Sequence, residues 1–259
     1  MGERNSYRPG TFSWTDLSTS DQPAAKEFYG ALFGWEAEDM PAGGDSLYTL
    51  MRLRGKDVAA ISSQPAQQRA AGVPPMWNSY VSVESADATA ERVRELGGTV
   101  HAPPFDVLEA GRMAVIQDPQ GAFFELWEAR RRLGAGLVNE PGALVWNELS
   151  SPEIDASAAF YEGLFGWTTE PLEGMRGRYL SVRNGEERAA GIRGLIPAEV
   201  PPHWLVYFGA RDIESTLERV AELGGRSIEG PIEIPVGRIG FAADPQGAVF
   251  ALYDGELDP

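Results

Sequence analysis

The sequence predicts an α+β fold assembled twice, as two tandem domains each made of two βαβββ modules. Two recurring motifs and the order between them carry that prediction. Asp118-Pro119-Gln120-Gly121-Ala122 returns as Asp244-Pro245-Gln246-Gly247-Ala248. Phe28-Tyr29-Gly30-Ala31-Leu32-Phe33-Gly34-Trp35 returns as Phe160-Tyr161-Glu162-Gly163-Leu164-Phe165-Gly166-Trp167. The offset between copies drifts from 132 residues at Trp14 and Trp146 to 126 at Asp118 and Asp244, so the copies differ by a few loop residues. A long fixed period decides the architecture before any single element is read. The first domain is placed at 1–129, a linker at 130–142 and the second domain at 143–259.

Within the first copy, Thr11 to Leu17 alternates apolar and polar residues as a half-buried strand does. Thr19-Ser20-Asp21-Gln22-Pro23 then offers a cap and a proline suited to a first helical turn. Ala24, Ala25, Phe28 and Leu32 recur at helical spacing, and Gly34 is the stop. Residues 48–54 and 57–62 read as a strand pair, and the Pro- and Gln-rich stretch 64–75 as a loop. The order then repeats: a strand at 78–83, an amphipathic helix at 86–96 ended by Gly97-Gly98, and strands at 99–102, 112–117 and 122–127. Asp118-Pro119-Gln120-Gly121 is turn chemistry, with Pro fixing φ and Gly supplying φ > 0. The second copy gives strands at 143–149, 178–182 and 190–194, a helix at 154–164 and a loop at 197–202. A strand at 204–209, a helix at 213–223 and strands near 239–243 and 249–253 complete it.

Composition narrows the function classes. The 259-residue chain has no cysteine, which removes disulfides, thiolate metal sites and cysteine nucleophiles. Its net charge of −16 argues against a nucleic-acid partner, which needs a basic face. Arg130-Arg131-Arg132 is the one compact basic run, and it reads as solvated linker. No apolar run approaches the roughly 18 residues that span a bilayer. The polar residues 1–10 hold no signal-peptide core, so the expectation is a cytoplasmic protein without a membrane partner. No phosphate-binding glycine loop or nucleophile elbow occurs.

The βαβββ order, the Phe-Tyr-x-x-Leu-Phe-Gly-Trp helix ends and the late Asp-Pro-Gln-Gly turns resemble the vicinal oxygen chelate superfamily. That group contains glyoxalase I, the bleomycin-resistance proteins and the extradiol dioxygenases. The paired starts Trp14-Thr15-Asp16-Leu17 and Trp146-Asn147-Glu148-Leu149 resemble its tandem actinobacterial members, several of them named as hydroxylases. The resemblance implies that each domain curls into an open, incomplete barrel around one pocket. It also implies that the two domains pair within a monomer. Four metal-ligand positions per domain follow from it: Trp14, near Ile61, Asn78 and Glu125, then Trp146, near Ile192, Leu205 and Ala251. Glu125 alone among them is a good ligand for a divalent cation, and Asn78 is a weak oxygen donor. His101 and His203 lie in different domains at non-equivalent places. No metal or other cofactor is therefore expected, with a divalent metal at Glu125 as the lesser alternative.

Asp16 and Glu148 follow their tryptophans by two residues, so strand alternation sets each on the tryptophan's face. Each is a candidate general base or ligand anchor, against the alternative of a backbone cap or an arginine partner. Glu125 is a third candidate acid or base. Arg112 and Arg238 each follow a glycine and could hold a carboxylate or phosphate, or pair with an acid of the protein. His203 is a candidate proton shuttle beside Trp204. Trp14, Trp77, Asn78, Tyr80, Trp146, Trp204 and Tyr207 are candidate ligand contacts, because aromatic walls with few polar anchors suit flat organic molecules. About half of these aromatics are expected in the core. The expected function is metal-independent binding of a small organic molecule; the alternative is a lyase or oxygenase acting on a small carbonyl or aromatic natural-product substrate. Asp16, Glu125 and Glu148 would then supply proton transfer.

Overall fold

The computed structural model describes residues 2–44, 46–195 and 200–256. Residues 197–199 of the expected loop 197–202 fall outside them. In the first copy β1 (Phe12–Thr19) leads into α1 (Gln22–Phe33), followed by β2 (Glu36–Pro41), β3 (Leu47–Leu53) and β4 (Lys56–Ser63). A short helix, α2 (Ala66–Ala70), lies inside the expected loop. Then come β5 (Met76–Ser82), α3 (Ala86–Glu95), β6 (Thr99–Val107), β7 (Gly111–Gln117) and β8 (Phe123–Ala129). The second copy runs β9 (Leu144–Ser151), α4 (Ile154–Phe165), β10 (Thr168–Pro171), β11 (Tyr179–Asn184) and β12 (Glu187–Gly194). It ends with β13 (His203–Gly209), α5 (Ile213–Glu222), β14 (Arg226–Ile234), β15 (Gly237–Ala243) and β16 (Val249–Gly255).

Each copy forms one curved eight-stranded sheet, ordered β2-β3-β4-β1-β5-β8-β7-β6 and β10-β11-β12-β9-β13-β16-β15-β14. The outermost strands do not bond to each other, so neither sheet closes into a barrel. Each module is recognisable as half a sheet, and the halves meet where β1 pairs antiparallel with β5 and β9 with β13. The strands that sequence pattern did not show are the edges β2, β10 and β14. Their side chains are largely exposed, so no apolar alternation marks them.

Helix α1 starts at Asp21, whose side chain caps the Ala24 N–H at 3.1 Å, and stops at Gly34 in the left-handed region. Its buried face carries Ala25, Phe28 and Tyr29, at the spacing of one helical stripe. What that face meets is the other copy. Phe28 and Tyr29 pack with Phe208, Leu217 and Phe250 of the second copy. Reciprocally, Phe160, Tyr161 and Trp167 pack with Val93 and Phe124 of the first. The first module of each copy shares its core with the second module of the other.

The two motifs that recur in the sequence are the two sides of this contact. Asp118 Oδ1 accepts the main-chain N–H groups of Gln120, Gly121 and Ala122 at 2.9, 2.8 and 2.9 Å, closing its own turn. Its Oδ2 accepts the Tyr161 hydroxyl of the other copy at 3.0 Å. Asp244 repeats the arrangement, taking Gln246 and Ala248 N–H at 3.0 and 2.9 Å and the Tyr29 hydroxyl at 3.2 Å. Each tyrosine also accepts an indole N–H, Tyr29 from Trp77 at 3.1 Å and Tyr161 from Trp204 at 2.9 Å. Trp35 donates to the Gly142 carbonyl at 2.7 Å and Trp167 to the Gly10 carbonyl at 2.8 Å. Thus the last tryptophan of each helix motif holds the entry of the opposite copy.

Candidate functional site

Helices cover one face of each sheet, and the chemistry lies on the face without them. In the first copy Trp14 stands opposite Tyr80, Asp16 opposite Asn78, and Tyr80 is in register with Glu125. Strand period two therefore sends Trp14, Asp16, Asn78, Tyr80 and Glu125 to one side. Asp16, 5 % exposed, is held by three donors: Asn78 Nδ2 at 2.8 Å, the Tyr80 hydroxyl at 2.8 Å and the Tyr48 hydroxyl at 3.0 Å. Tyr48 in turn accepts the Trp14 indole N–H at 2.9 Å. Burial raises the Asp16 pKa, and its three donors oppose that rise.

The second copy repeats the chain of bonds. Trp146 Nε1 donates to the Tyr179 hydroxyl at 3.2 Å, and the Tyr207 hydroxyl donates to Glu148 Oε1 at 2.9 Å. Tyr179 also hydrogen-bonds Glu148. Besides Asp16 and Glu148 themselves, three positions around them differ between the copies. Leu205 stands where the first copy has Asn78, Ala251 where it has Glu125, and Arg193 where it has Ser62. Arg193 Nη1 lies 3.3 Å from Glu148 Oε1, so the second carboxylate has a cation and the first, among the described residues, does not. Burial raises the Glu148 pKa, and the positive Arg193 pulls it back.

Glu125 is the outlier. It is 6 % exposed, and its Oε2 has no hydrogen-bond partner among the described residues. Burial first, then the charge of Asp16, push its pKa well above the ordinary carboxyl range, with only the Ser79 main-chain N–H opposing.

Over the second sheet lies a cavity of about 970 Å³. Trp146, Glu148, Tyr179 and Tyr207 line its floor, Ile239 and Tyr253 contribute from β15 and β16, and residues 3–8 of the N-terminal segment form a wall. That segment is tied down by the Tyr7 hydroxyl on the Ala135 carbonyl at 2.6 Å and by Arg8 Nη1 on the Asn184 carbonyl at 3.2 Å. The space is at the upper end of what drug-sized ligands occupy.

Several residues expected at a site are elsewhere. Trp77 and Trp204 are each 6 % exposed and sit in the shared core, bonded to Tyr29 and Tyr161. Arg112 pairs with Asp87 at 2.7 Å and Asp106 at 2.8 Å, tying β7 to the start of α3 and to β6. Arg238 pairs with Glu214 at 2.9 Å and with Asp254. Both guanidiniums serve acids of the protein. His203 turns Nδ1 onto the Pro201 carbonyl at 2.8 Å and lies outside the cavity lining. His101 rests against Gln117 and Phe123. Tyr48, Tyr179 and Arg193 are the members that sequence reading missed. The two tyrosines repeat at matched positions, so the signal was present for them.

Comparison with known proteins agrees with this architecture. The glyoxalase/bleomycin resistance protein/dioxygenase superfamily profile matches residues 11–126, and a glyoxalase-like domain profile matches residues 146–253. A Mycobacterium tuberculosis protein named "Putative glyoxylase CFP32" is 44% identical over 97% of this chain and 97% of its own length. The chain belongs to the glyoxalase/bleomycin resistance/dioxygenase superfamily. Another member, the anthracycline biosynthesis protein DnrV of Streptomyces peucetius, is 35% identical over 96% of this chain and 94% of its own. Among solved structures, the Mn(II)-bound glyoxalase of Novosphingobium aromaticivorans superposes with a TM-score of 0.69 at 17% identity, covering 97% of this chain and 83% of that one. The 2,3-dioxygenase LapB of Pseudomonas sp. KL28 gives 0.66 at 16% identity, covering 100% and 94%. These two share the fold.

The superfamily includes metal enzymes, and the residues here do not suit a metal. Among the described residues no three His, Cys, Asp or Glu side chains gather as ligands. At the positions the family resemblance points to, Trp14 offers an indole N–H already given to Tyr48, and Asn78 turns its amide to Asp16. Ile61 is fully buried in the shared core. Glu125 is left without a second ligand among these positions. Among the described residues no helix is long and apolar enough to cross a membrane.

Proposed function

We propose that the chain is a metal-independent binder of a small, flat, carbonyl-bearing aromatic compound, held in the cavity of the second domain. The observation that carries this is the cavity itself, about 970 Å³ in volume, with Trp146, Tyr179, Tyr207 and Tyr253 around a single buried carboxylate. Aromatic walls supply contact area at little entropic cost, and a few polar groups fix orientation. Glu148 is not the group that meets the ligand in this reading. Its oxygens are engaged by Tyr179, Tyr207 and Arg193, so it is a positioning residue that holds both phenol rings in place. Asp16 does the same for Tyr48 and Tyr80. The name of DnrV as an anthracycline biosynthesis protein supports a polycyclic aromatic ligand, since an anthracycline is a planar fused-ring ketone.

The test is calorimetric titration with 1,4-dihydroxyanthraquinone. Wild type is expected to bind one equivalent. Ser181→Trp places a large ring in the cavity from a buried strand position that lines it, and is expected to weaken binding at least tenfold, with circular dichroism checking that the fold is retained. Equal affinity for wild type and Ser181→Trp would remove the cavity from the account.

A further inference from the structure

We propose that the Ser181 hydroxyl is the group that holds the ligand's carbonyl in the second-domain cavity, an inference that rests on the binding reading above and names its anchor. Along β11, Leu180 and Val182 enter the shared core, while Tyr179 and Ser181 line the cavity. Ser181 is 6 % exposed, and its hydroxyl has no hydrogen-bond partner among the described residues. Its oxygen opens on the cavity instead of being sealed in the sheet. A largely buried hydroxyl without a partner costs stability, and a ligand acceptor supplies the missing bond.

The other donors on the cavity floor are spent inside the protein. Trp146 Nε1 donates to the Tyr179 hydroxyl, and the hydroxyls of Tyr207 and Tyr179 bond to Glu148. Strand register sets Ser181 between Glu170 of β10 and Gly191 of β12. Glu170 is turned to Arg183 at 2.9 Å, and Gly191 has no side chain, so neither neighbour takes up the hydroxyl. The glycine is required where it stands, because a Cβ there would lie 1.9 Å from the Tyr179 hydroxyl oxygen. In the first copy Leu50 faces Ala60 as Ser181 faces Gly191. Leu50 is 2 % exposed and Ala60 fully buried, so apolar side chains fill the matching places there. Ser for Leu and Gly for Ala give the second sheet more room and one added donor. One unspent donor among aromatic walls fits a polycyclic ketone better than the parent hydrocarbon.

Fluorenone and fluorene, one ring system with and without a ketone, test this on the full chain by quenching of tryptophan fluorescence. Ser181→Ala removes the hydroxyl alone. It is expected to weaken fluorenone binding about fivefold and to leave fluorene within about twofold of its wild-type affinity. In the infrared difference spectrum, the C=O stretch of bound fluorenone is expected at lower wavenumber in wild type than in Ser181→Ala, since an accepted hydrogen bond weakens the C=O bond. Equal fluorenone affinity in the two proteins, an equal loss for fluorene, or the same stretch in both overturns this inference and leaves the cavity reading standing. So does a wild type that binds 1,4-dihydroxyanthraquinone and not fluorenone. A wild type that binds neither ketone overturns both.

Discussion

Asp118→Ala is expected to destabilise the whole chain by about 3 kcal/mol or more, a large effect for one polar residue in a turn. The substitution removes one acceptor from four donors: three main-chain N–H groups of its own turn and the Tyr161 hydroxyl of the other copy. Buried donors left unpaired cost about 1–3 kcal/mol each, and relaxation of the turn recovers part of the sum. Tyr161→Phe alone is expected to cost about 1–2 kcal/mol, because Trp204 Nε1 and Asp118 Oδ2 both lose a partner. The double variant is expected to cost less than the two singles added, since they share one bond. Urea denaturation followed by tryptophan fluorescence and by far-ultraviolet circular dichroism measures all three. One coincident transition is expected, because both main core clusters draw on both copies. Two separate transitions would contradict the shared core.

Replacing either buried glutamate with glutamine is expected to have unequal consequences in the two domains. The folded-state pKa of Glu125 lies above its unfolded value, so the folded chain binds a proton that the unfolded chain releases first. Its contribution is fully present below the unfolded value of about 4.3 and is lost as pH rises toward the folded one. Glu125→Gln cannot ionise, and it is expected to be more stable than wild type by on the order of 1–3 kcal/mol at pH 8, with little difference near pH 4. The gap in urea midpoint should widen from pH 5 to pH 8; a constant or narrowing gap would refute the assignment. Glu148→Gln removes the partner of Arg193, whose side chain is 14% exposed. Burial nonetheless raises the Glu148 pKa, so relief of that cost offsets the loss of the ion pair, and Glu148→Gln is expected to gain less stability than Glu125→Gln at pH 8. The two glutamates are not matched positions, since Ala251 corresponds to Glu125 and Asp16 to Glu148; Arg193 beside Glu148 and Asp16 beside Glu125 make the two replacements unequal.

The fold was legible because its motifs recur and because each recurrence has a partner. Phe28-Tyr29 and Asp118-Pro119-Gln120-Gly121 were visible as landmarks. That Tyr29 reaches Asp244 and Tyr161 reaches Asp118 was not, because an antiparallel exchange between copies leaves no mark on local pattern. The edge strands β2, β10 and β14 escaped for a simpler reason, their exposed side chains. At the sites, alternation placed Trp14 with Asp16 and Trp146 with Glu148. The same rule argues against reading Trp77 and Asn78 together as ligand contacts, since adjacent strand residues point to opposite faces. Trp77 goes to the core and Asn78 to Asp16. Arg112 and Arg238 found acids on the first turns of α3 and α5, far along the chain, which spacing alone does not reveal. Nor does it reveal that residues 3–8 wall the second-domain cavity.

The central claim is that ligand binding in the second domain needs no metal. Its most direct test is one calorimetric comparison: the affinity for 1,4-dihydroxyanthraquinone before and after exhaustive chelation, with metal content measured on both samples. The account predicts the same affinity in both. Loss of binding on chelation, restored by adding Mn(II), would contradict it.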